Sequence, residues 1–250
     1  MPPLTFLIIA TNREKMTMKI LSIDIGGSGI KGAVLGESGE MMTERVRIET
    51  PQPCTPDSLL ETVATLVQSL PEFTHVSVGF PGVVRGGVIR TAANLDPSLI
   101  GLNLVTAFQL LLGFPTRAAN DADVQGLAAI QGKGVEMVIT LGTGFGTSLF
   151  EDGRLGPHLE LAHHPFRKGE TYEQQLGNAA RKEAGNSKWN SRIEIAIAAL
   201  RTLTHFDHLY LGGGNAKKVT LQLPPDVSII SNVEGIRGGH WLWHERSPVE

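Results

Sequence analysis

Residues 19–35 read KILSIDIGGSGIKGAVL: an apolar run ends in Gly26 and Gly27, and a second β-rich run, Ile30 to Leu35, begins a few residues later. This spacing predicts a β-hairpin. Its turn holds Asp24, Gly26, Gly27, Ser28 and Gly29, more glycine than hairpin geometry requires. A second hairpin of the same kind follows about 115 residues later, with strands Met137–Leu141 and Thr147–Phe150 around Gly142-Thr143-Gly144-Phe145-Gly146. Two such hairpins, each opening a β-rich stretch with later helices, predict two similar α/β lobes facing each other across a cleft. The division expected is an N-terminal extension over 1–18, one lobe over 19–118 and a second over 119–250.

Between the hairpins, Met41 to Ile48 reads as a third strand. Thr55 before Pro56 and Asp57 is a helix start signal, and Leu59, Val63, Leu66, Val67 and Leu70 share one helical face. His75 to Phe80 reads as a buried strand entering the Pro81-Gly82 turn, and Val83 to Ile89, broken at Gly86-Gly87, as a hairpin. Thr116–Ala119 reads as a strand and Asp121–Ile130 as a helix. Further helices are expected over Thr171–Ala184 and Asn190–Leu203, and a strand over His208–Leu211 before Gly212-Gly213-Gly214.

Composition removes whole classes of function. The 250 residues are 41% hydrophobic and 19% charged, which fits a globular chain and not a disordered or fibrous one. The net charge of −3 gives no global field for nucleic acid or an anionic membrane, so any polyanion site must be local. One cysteine, Cys54, allows neither an internal disulfide nor a cysteine-rich zinc site. The apolar run Leu4–Ala10 is seven residues long, too short for a membrane span, and lacks the flanks of a signal peptide. With Met16 and Met18 just ahead of the first strand, it reads as a dispensable extension, with a start site assigned too far upstream.

Glycine-rich turns leave backbone N–H groups open and bind phosphate oxygens; two facing one cleft would clamp a polyphosphate chain. In the first turn Asp24 adds a carboxylate able to hold Mg²⁺ through water. The competing reading is a tight turn with a capping aspartate, because no Walker-type loop is present. Asn120-Asp121-Ala122-Asp123 stands between a strand and a helix, where an aspartate either caps the helix or points into a cleft. Phosphoryl transfer to an alcohol needs a carboxylate to accept the hydroxyl proton, which makes Asp121 the candidate base and Asp123 a first-turn carboxylate. Glu160-Leu161-Ala162-His163-His164 offers groups for a metal or for sugar hydroxyls, and the second fits better because no other cluster supplies ligands. Arg181, Lys182, Lys188 and Arg192, diluted by Glu183, and the pair Lys217-Lys218 read as solvated faces that could also hold a polyanion. Trp241 and Trp243 read as a packed closing segment.

Six motifs in order, Asp-Ile-Gly-Gly-Ser at 24–28, Gly-Phe-Pro-Gly at 79–82, Asn-Asp-Ala-Asp at 120–123, Gly-Thr-Gly-Phe-Gly at 142–146, Glu-Leu-Ala-His at 160–163 and Gly-Gly-Gly-Asn-Ala-Lys-Lys at 212–218, resemble the sugar kinases of the ROK family. The resemblance spans about Lys19 to Trp243. The stretch from Arg181 to Lys218 is most similar to the polyphosphate glucokinase branch. It implies a two-lobed actin/hexokinase-like (ribonuclease H-like) α/β fold and transfer of a phosphoryl group from polyphosphate, ATP or both, with Mg²⁺, to the 6-hydroxyl of glucose or a close hexose. Asp24, Gly26, Gly27 and Ser28 would form one donor loop and Gly142, Thr143 and Gly144 the other. Gly212, Gly213, Gly214, Lys217 and Lys218 would lie along the donor path. Gly82, Asn94, Asn120, Asp121, Glu160 and His163 would hold the sugar. A cytoplasmic homodimer without nucleic-acid or membrane partners is implied, and without an N-terminal helix-turn-helix no repressor is expected.

Three departures stand out. Ser28 replaces a threonine, Ala162 replaces the glycine before His163, and Leu99 falls where tryptophan is expected, which would loosen the sugar-side wall. A strictly ATP-dependent hexokinase and a catalytically weak sugar sensor of the same fold are the alternatives.

Overall fold

The computed structural model describes residues 17–93, 95–231 and 234–244. The chain runs β1 (Ile20–Ile25), β2 (Ile30–Leu35), β3 (Val46–Ile48), α1 (Pro56–Val67), β4 (His75–Phe80), β5 (Val84–Arg85), β6 (Val88–Ile89), α2 (Leu104–Leu112), β7 (Thr116–Asn120) and α3 (Asp121–Ala129). It continues through β8 (Val135–Leu141), β9 (Phe145–Glu151), β10 (Arg154–Leu155), β11 (Pro165–Arg167), β12 (Glu170–Thr171), α4 (Tyr172–Leu176), α5 (Asn178–Ala184), α6 (Asn186–Thr204), β13 (His208–Gly212), β14 (Val227–Ile229) and α7 (Glu234–Trp241).

Two five-stranded sheets carry this order, β3-β2-β1-β4-β7 and β10-β9-β8-β13-β14. In each, an antiparallel three-strand meander is followed by two strands parallel to the first of the meander. The two halves therefore share one topology, and both glycine turns sit at the same point in it, between the first two strands.

Strand alternation sorts each sheet into two faces. In β1, Leu21, Ile23 and Ile25 join Leu59, Val63 and Leu66 of α1 and Leu104 and Phe108 of α2 in one buried cluster. The other face carries Ile20, which packs with Ile236 of α7, then Ser22 and Asp24. In β8, Met137, Ile139 and Leu141 pack on Trp189, Ile193 and Leu200 of α6, while Val138 faces Leu127 and Ile130 at the end of α3. Asp24 and Thr140 thus occupy matching positions, one residue before the last of each strand, and both face the space between the sheets.

The expected helix starts hold where the chemistry is local. Thr55 caps α1, its hydroxyl accepting from Ser58 N at 3.3 Å. Four readings need correction. The strand expected from Met41 is confined to Val46–Ile48, because the Thr43 hydroxyl takes the Val34 N–H that strand pairing would use. The helix expected over 171–184 breaks at Gly177: a Cβ there would stand 2.9 Å from the Thr143 carbonyl oxygen. The last long helix starts at Asn186, not Asn190. Leu99 is fully buried in the α1–α2 cluster and lines no wall of the cleft.

β7 runs across the boundary expected at 118 and pairs with β4 as far as Phe80–Asn120. Helix α7, though last in the chain, lies on the first sheet: Ser22 Oγ donates to Ile236 O at 2.6 Å and Ser77 Oγ to Gly239 O at 2.5 Å. Trp243 closes this end, donating to Ser77 Oγ at 2.9 Å beneath the Arg117 guanidinium. Residues 1–16 of the expected extension lie outside the described residues.

Candidate active site

A cleft of about 390 Å³ opens between the sheets. Asp24, Gly26, Gly27, Ser28, Gly82, Asn120, Asp121, Gly142, Thr143, Gly144, Glu160, His163, Gly213 and Gly214 all line it. Residues separated by as much as 190 positions therefore line one cleft. Asn94 lies outside the described residues. Gly212 is buried behind the wall, where a Cβ would meet the Gln125 amide at 2.7 Å. Lys217 and Lys218 are exposed on a short turn, Ala216–Lys218, and do not line the cleft.

The first turn is braced on both sides. Gly26 N donates to Gly29 O at 3.1 Å, Thr50 Oγ1 donates to Gly26 O at 2.5 Å and Arg47 Nη2 donates to Ser28 O at 2.6 Å. With these carbonyls engaged from outside, the turn keeps its shape without a ligand. Asp24 pairs with Lys31 across the hairpin at 2.7 Å. The second turn is held from below. Asn178 N, at the start of α5, donates to the Gly142 and Thr143 carbonyls at 3.1 and 3.3 Å, and Asn215 Nδ2 donates to Gly142 O at 3.1 Å. The break at Gly177 frees that amide from the helix ladder. No side chain obstructs the position of a Cβ on Gly142.

At the start of α3 the two readings of the Asn-Asp-Ala-Asp stretch separate. Asn120 is the cap: its Oδ1 accepts from Ala122 N at 2.8 Å, and its Nδ2 donates to Gly82 O at 3.0 Å. Gly82 is required for packing as well, since a Cβ there would meet the Thr91 carbonyl at 2.2 Å. Asp121, relieved of capping, turns into the cleft with one oxygen accepting from Ala122 N at 2.8 Å. Its burial, then the negative charge of Asp24, push its carboxyl up to about 7 against the pull of the Ala122 N–H; Asp123 and Glu160 add to the rise. A carboxylate held near 7 is poised to accept a proton at neutral pH.

Asp123 is 4% exposed and meets His158, whose Nδ1 stands 3.2 Å from Oδ2. The sequence reading did not single out Lys31, Arg45, Thr140, Gln125 and Glu173, which also line the cleft, nor His158, which borders a separate hollow with Asp123 and Arg85. Thr140 had a signal: it precedes its glycine turn as Asp24 precedes its own. His158 had none, because the buried Asp123 that anchors it lies 35 residues away. Among the basic residues noted near the second lobe, Arg181 bonds Asn178 and Asn186, and Arg192 donates to Gln175 O at 3.0 Å. Both are tied into the fold. No helix among the described residues is long and apolar enough to cross a membrane.

The ROK family model matches residues 20–172. The polyphosphate glucokinase of Mycobacterium tuberculosis (strain ATCC 25618 / H37Rv) is 34% identical over 211 residues, covering 81% of this chain and 80% of that one. The inorganic polyphosphate/ATP-glucomannokinase from Arthrobacter sp. strain KM superposes with a TM-score of 0.81 at 32% identity, over 91% of this chain and 100% of that one. A ROK family glucokinase from Streptomyces griseus, in complex with glucose and AMPPNP, shares the fold, with a TM-score of 0.73 at 16% identity over 90% of this chain and 98% of that one.

Proposed function

This chain belongs to the ROK family, with the actin/hexokinase-like fold, and we propose that it is a glucokinase that moves a phosphoryl group from polyphosphate, ATP or both to the 6-hydroxyl of glucose or a close hexose. The observation that carries this reading is the placement of Asp121, a carboxylate raised to about 7, in one cleft with two rigid glycine turns.

The chain's own groups divide the work. Asn120, Asp121, Glu160 and His163, with the Gly82 turn, hold the hexose hydroxyls. Asp121 accepts the proton of the 6-hydroxyl as that oxygen attacks the terminal phosphorus. The amides of Gly26, Gly27 and Ser28 on one side and of Gly142, Thr143 and Gly144 on the other bind the donor oxygens and stabilise the charge that develops on them. Gly213 and Gly214 border the donor path, and the cation beside it is Lys31 or Arg45 rather than Lys217 or Lys218. Asp24 supplies one hard oxygen beside the first turn, the kind of donor Mg²⁺ takes while keeping waters and phosphate oxygens. Mg²⁺ bound there would offset charge on the transferred group. We place the enzyme in the cytoplasm as a homodimer of two-lobed subunits.

A coupled assay for glucose 6-phosphate with ATP or polyphosphate in parallel, and Asp121→Asn as control, tests the reading. Turnover with polyphosphate that the variant loses supports it. Turnover with ATP alone would assign the strictly ATP-dependent alternative. Measurable sugar binding without turnover from either donor would overturn it in favour of a sensor.

A further inference from the structure

His158 borders a hollow apart from the cleft, between Asp123 and the Glu160 that lines the cleft, and has no part in the chemistry described so far. Its Nδ1 lies 3.2 and 3.4 Å from the two oxygens of Asp123, and its Nε2 lies 3.5 Å from Oε2 of Glu160. The three groups grade outward from the core: the side chains of Asp123, His158 and Glu160 are 5%, 15% and 37% exposed. Asp123 is fixed by the first turn of α3, two residues after Asp121. Glu160 stands on the segment after β10 and caps nothing with its side chain.

An exposed glutamate on such a segment samples many rotamers, and ordering it on a ligand costs affinity. An imidazole with one nitrogen on a buried carboxylate cannot swing freely, and its other nitrogen then aims in a fixed direction. Only the doubly protonated ring donates to both neighbours at once. The charged groups around the ring are Asp123 from α3, Glu160 from its own segment, and Arg85 from β5, which borders the same hollow.

We propose that His158 is a positioning residue: anchored on Asp123, it holds the Glu160 carboxylate at the hexose edge of the cleft in the orientation that meets sugar hydroxyls. The inference rests on the hexose-kinase reading above and adds to it a specificity element built from a side chain that the reaction does not use. The two carboxylates support it electrostatically: hydrogen bonds to Asp123 and then to Glu160 outweigh burial and raise the imidazole to about 9, so the ring carries its charge through neutral pH. Linkage predicts the sign of the effect. Glu160 is held below about pH 9 and released above it.

Steady-state kinetics of wild type, His158→Ala, His158→Gln and His158→Arg, with glucose and each donor varied in turn, test this. The glucose KM rises about tenfold in His158→Ala, as when other supporting partners of ligand groups are removed, while the donor KM stays within about twofold. The wild-type kcat/KM for glucose falls above about pH 9, and that fall is absent in His158→Gln. His158→Arg, which keeps a cation at every pH, recovers part of the lost affinity. Melting curves show whether each variant is folded; if His158→Ala is not, the Gln and Arg variants carry the comparison. A folded variant with unaltered glucose KM and unaltered alkaline limb, or equal losses for glucose and donor, overturns the inference. Wild type that phosphorylates no hexose would instead overturn the reading beneath it.

Discussion

Asp121 shows how one residue can be set against its own fold. Its carboxyl is raised to about 7 by burial and by the charge of Asp24, so its ionised form is the less comfortable one in the folded chain. The proposed base must be ionised, and kcat/KM for glucose is therefore expected to fall as pH drops through about 7. Asp24→Asn removes one of the raising charges and moves that limb to lower pH, which a pH–rate profile of the two proteins compares directly. The stability sign follows from linkage. A carboxyl whose folded value lies above its unfolded one destabilises the fold progressively as pH rises from about 4 to about 7. Asp121→Asn, which keeps the oxygen that accepts from Ala122 N, should accordingly abolish turnover yet be more stable than wild type by up to about 4 kcal/mol at pH 8, a gain that fades toward pH 4. Denaturant titrations at the two pH values measure it. A less stable variant at pH 8 would show that the carboxylate is not strained.

At the scale of elements, glycine serves two purposes that substitution separates. In α7 it permits contact: a Cβ on Gly238 would stand 1.7 Å from the Val124 carbonyl of α3, and one on Gly239 2.2 Å from Ser22 Oγ. Gly238→Ala is expected to lose about 3 kcal/mol or more, because backbone on backbone cannot give way. In the second glycine turn glycine leaves room instead, with nothing near a Cβ on Gly142. Gly142→Ala should melt with wild type and raise the donor KM several-fold; the two variants differ in a melting curve before any assay is run. The same distinction explains what could be read from the sequence. Glycine turns between strands, the Thr55 cap and the Asn120–Asp121 junction announce themselves within a few residues. α7 did not, since three glycines in Glu234–Trp241 argue against a helix until the groove that receives them is known. Nor did α2, where Leu110 at 82% exposure blurs the apolar period. The break at Gly177 is invisible without Thr143 beside it. His158 waits on a carboxylate from another element.

Over the whole molecule the question is how a chain of net charge −3 gathers a polyanion. A global field would repel it, so the attraction has to be local and short in range. Lys217 and Lys218 are exposed and do not line the cleft, and Arg181 and Arg192 are bound within the second lobe. Lys31 and Arg45 instead line the cleft on the first-sheet side, beside the turn braced by Arg47. Lys31 is paired with Asp24 and contributes less net charge, which leaves Arg45 as the cation best placed to meet donor phosphates beyond the transferred one. A long polyphosphate displaces counterions along its length and ATP displaces few, so the polyphosphate KM should rise more steeply with salt between about 50 and 200 mM than the ATP KM. Arg45→Ala should lower that slope by about one while hardly changing the slope for ATP, and should leave the glucose KM as it was. Equal salt slopes for the two donors, or a slope untouched by Arg45→Ala but lowered by Lys217→Ala, would move the polyphosphate path to the opposite lobe.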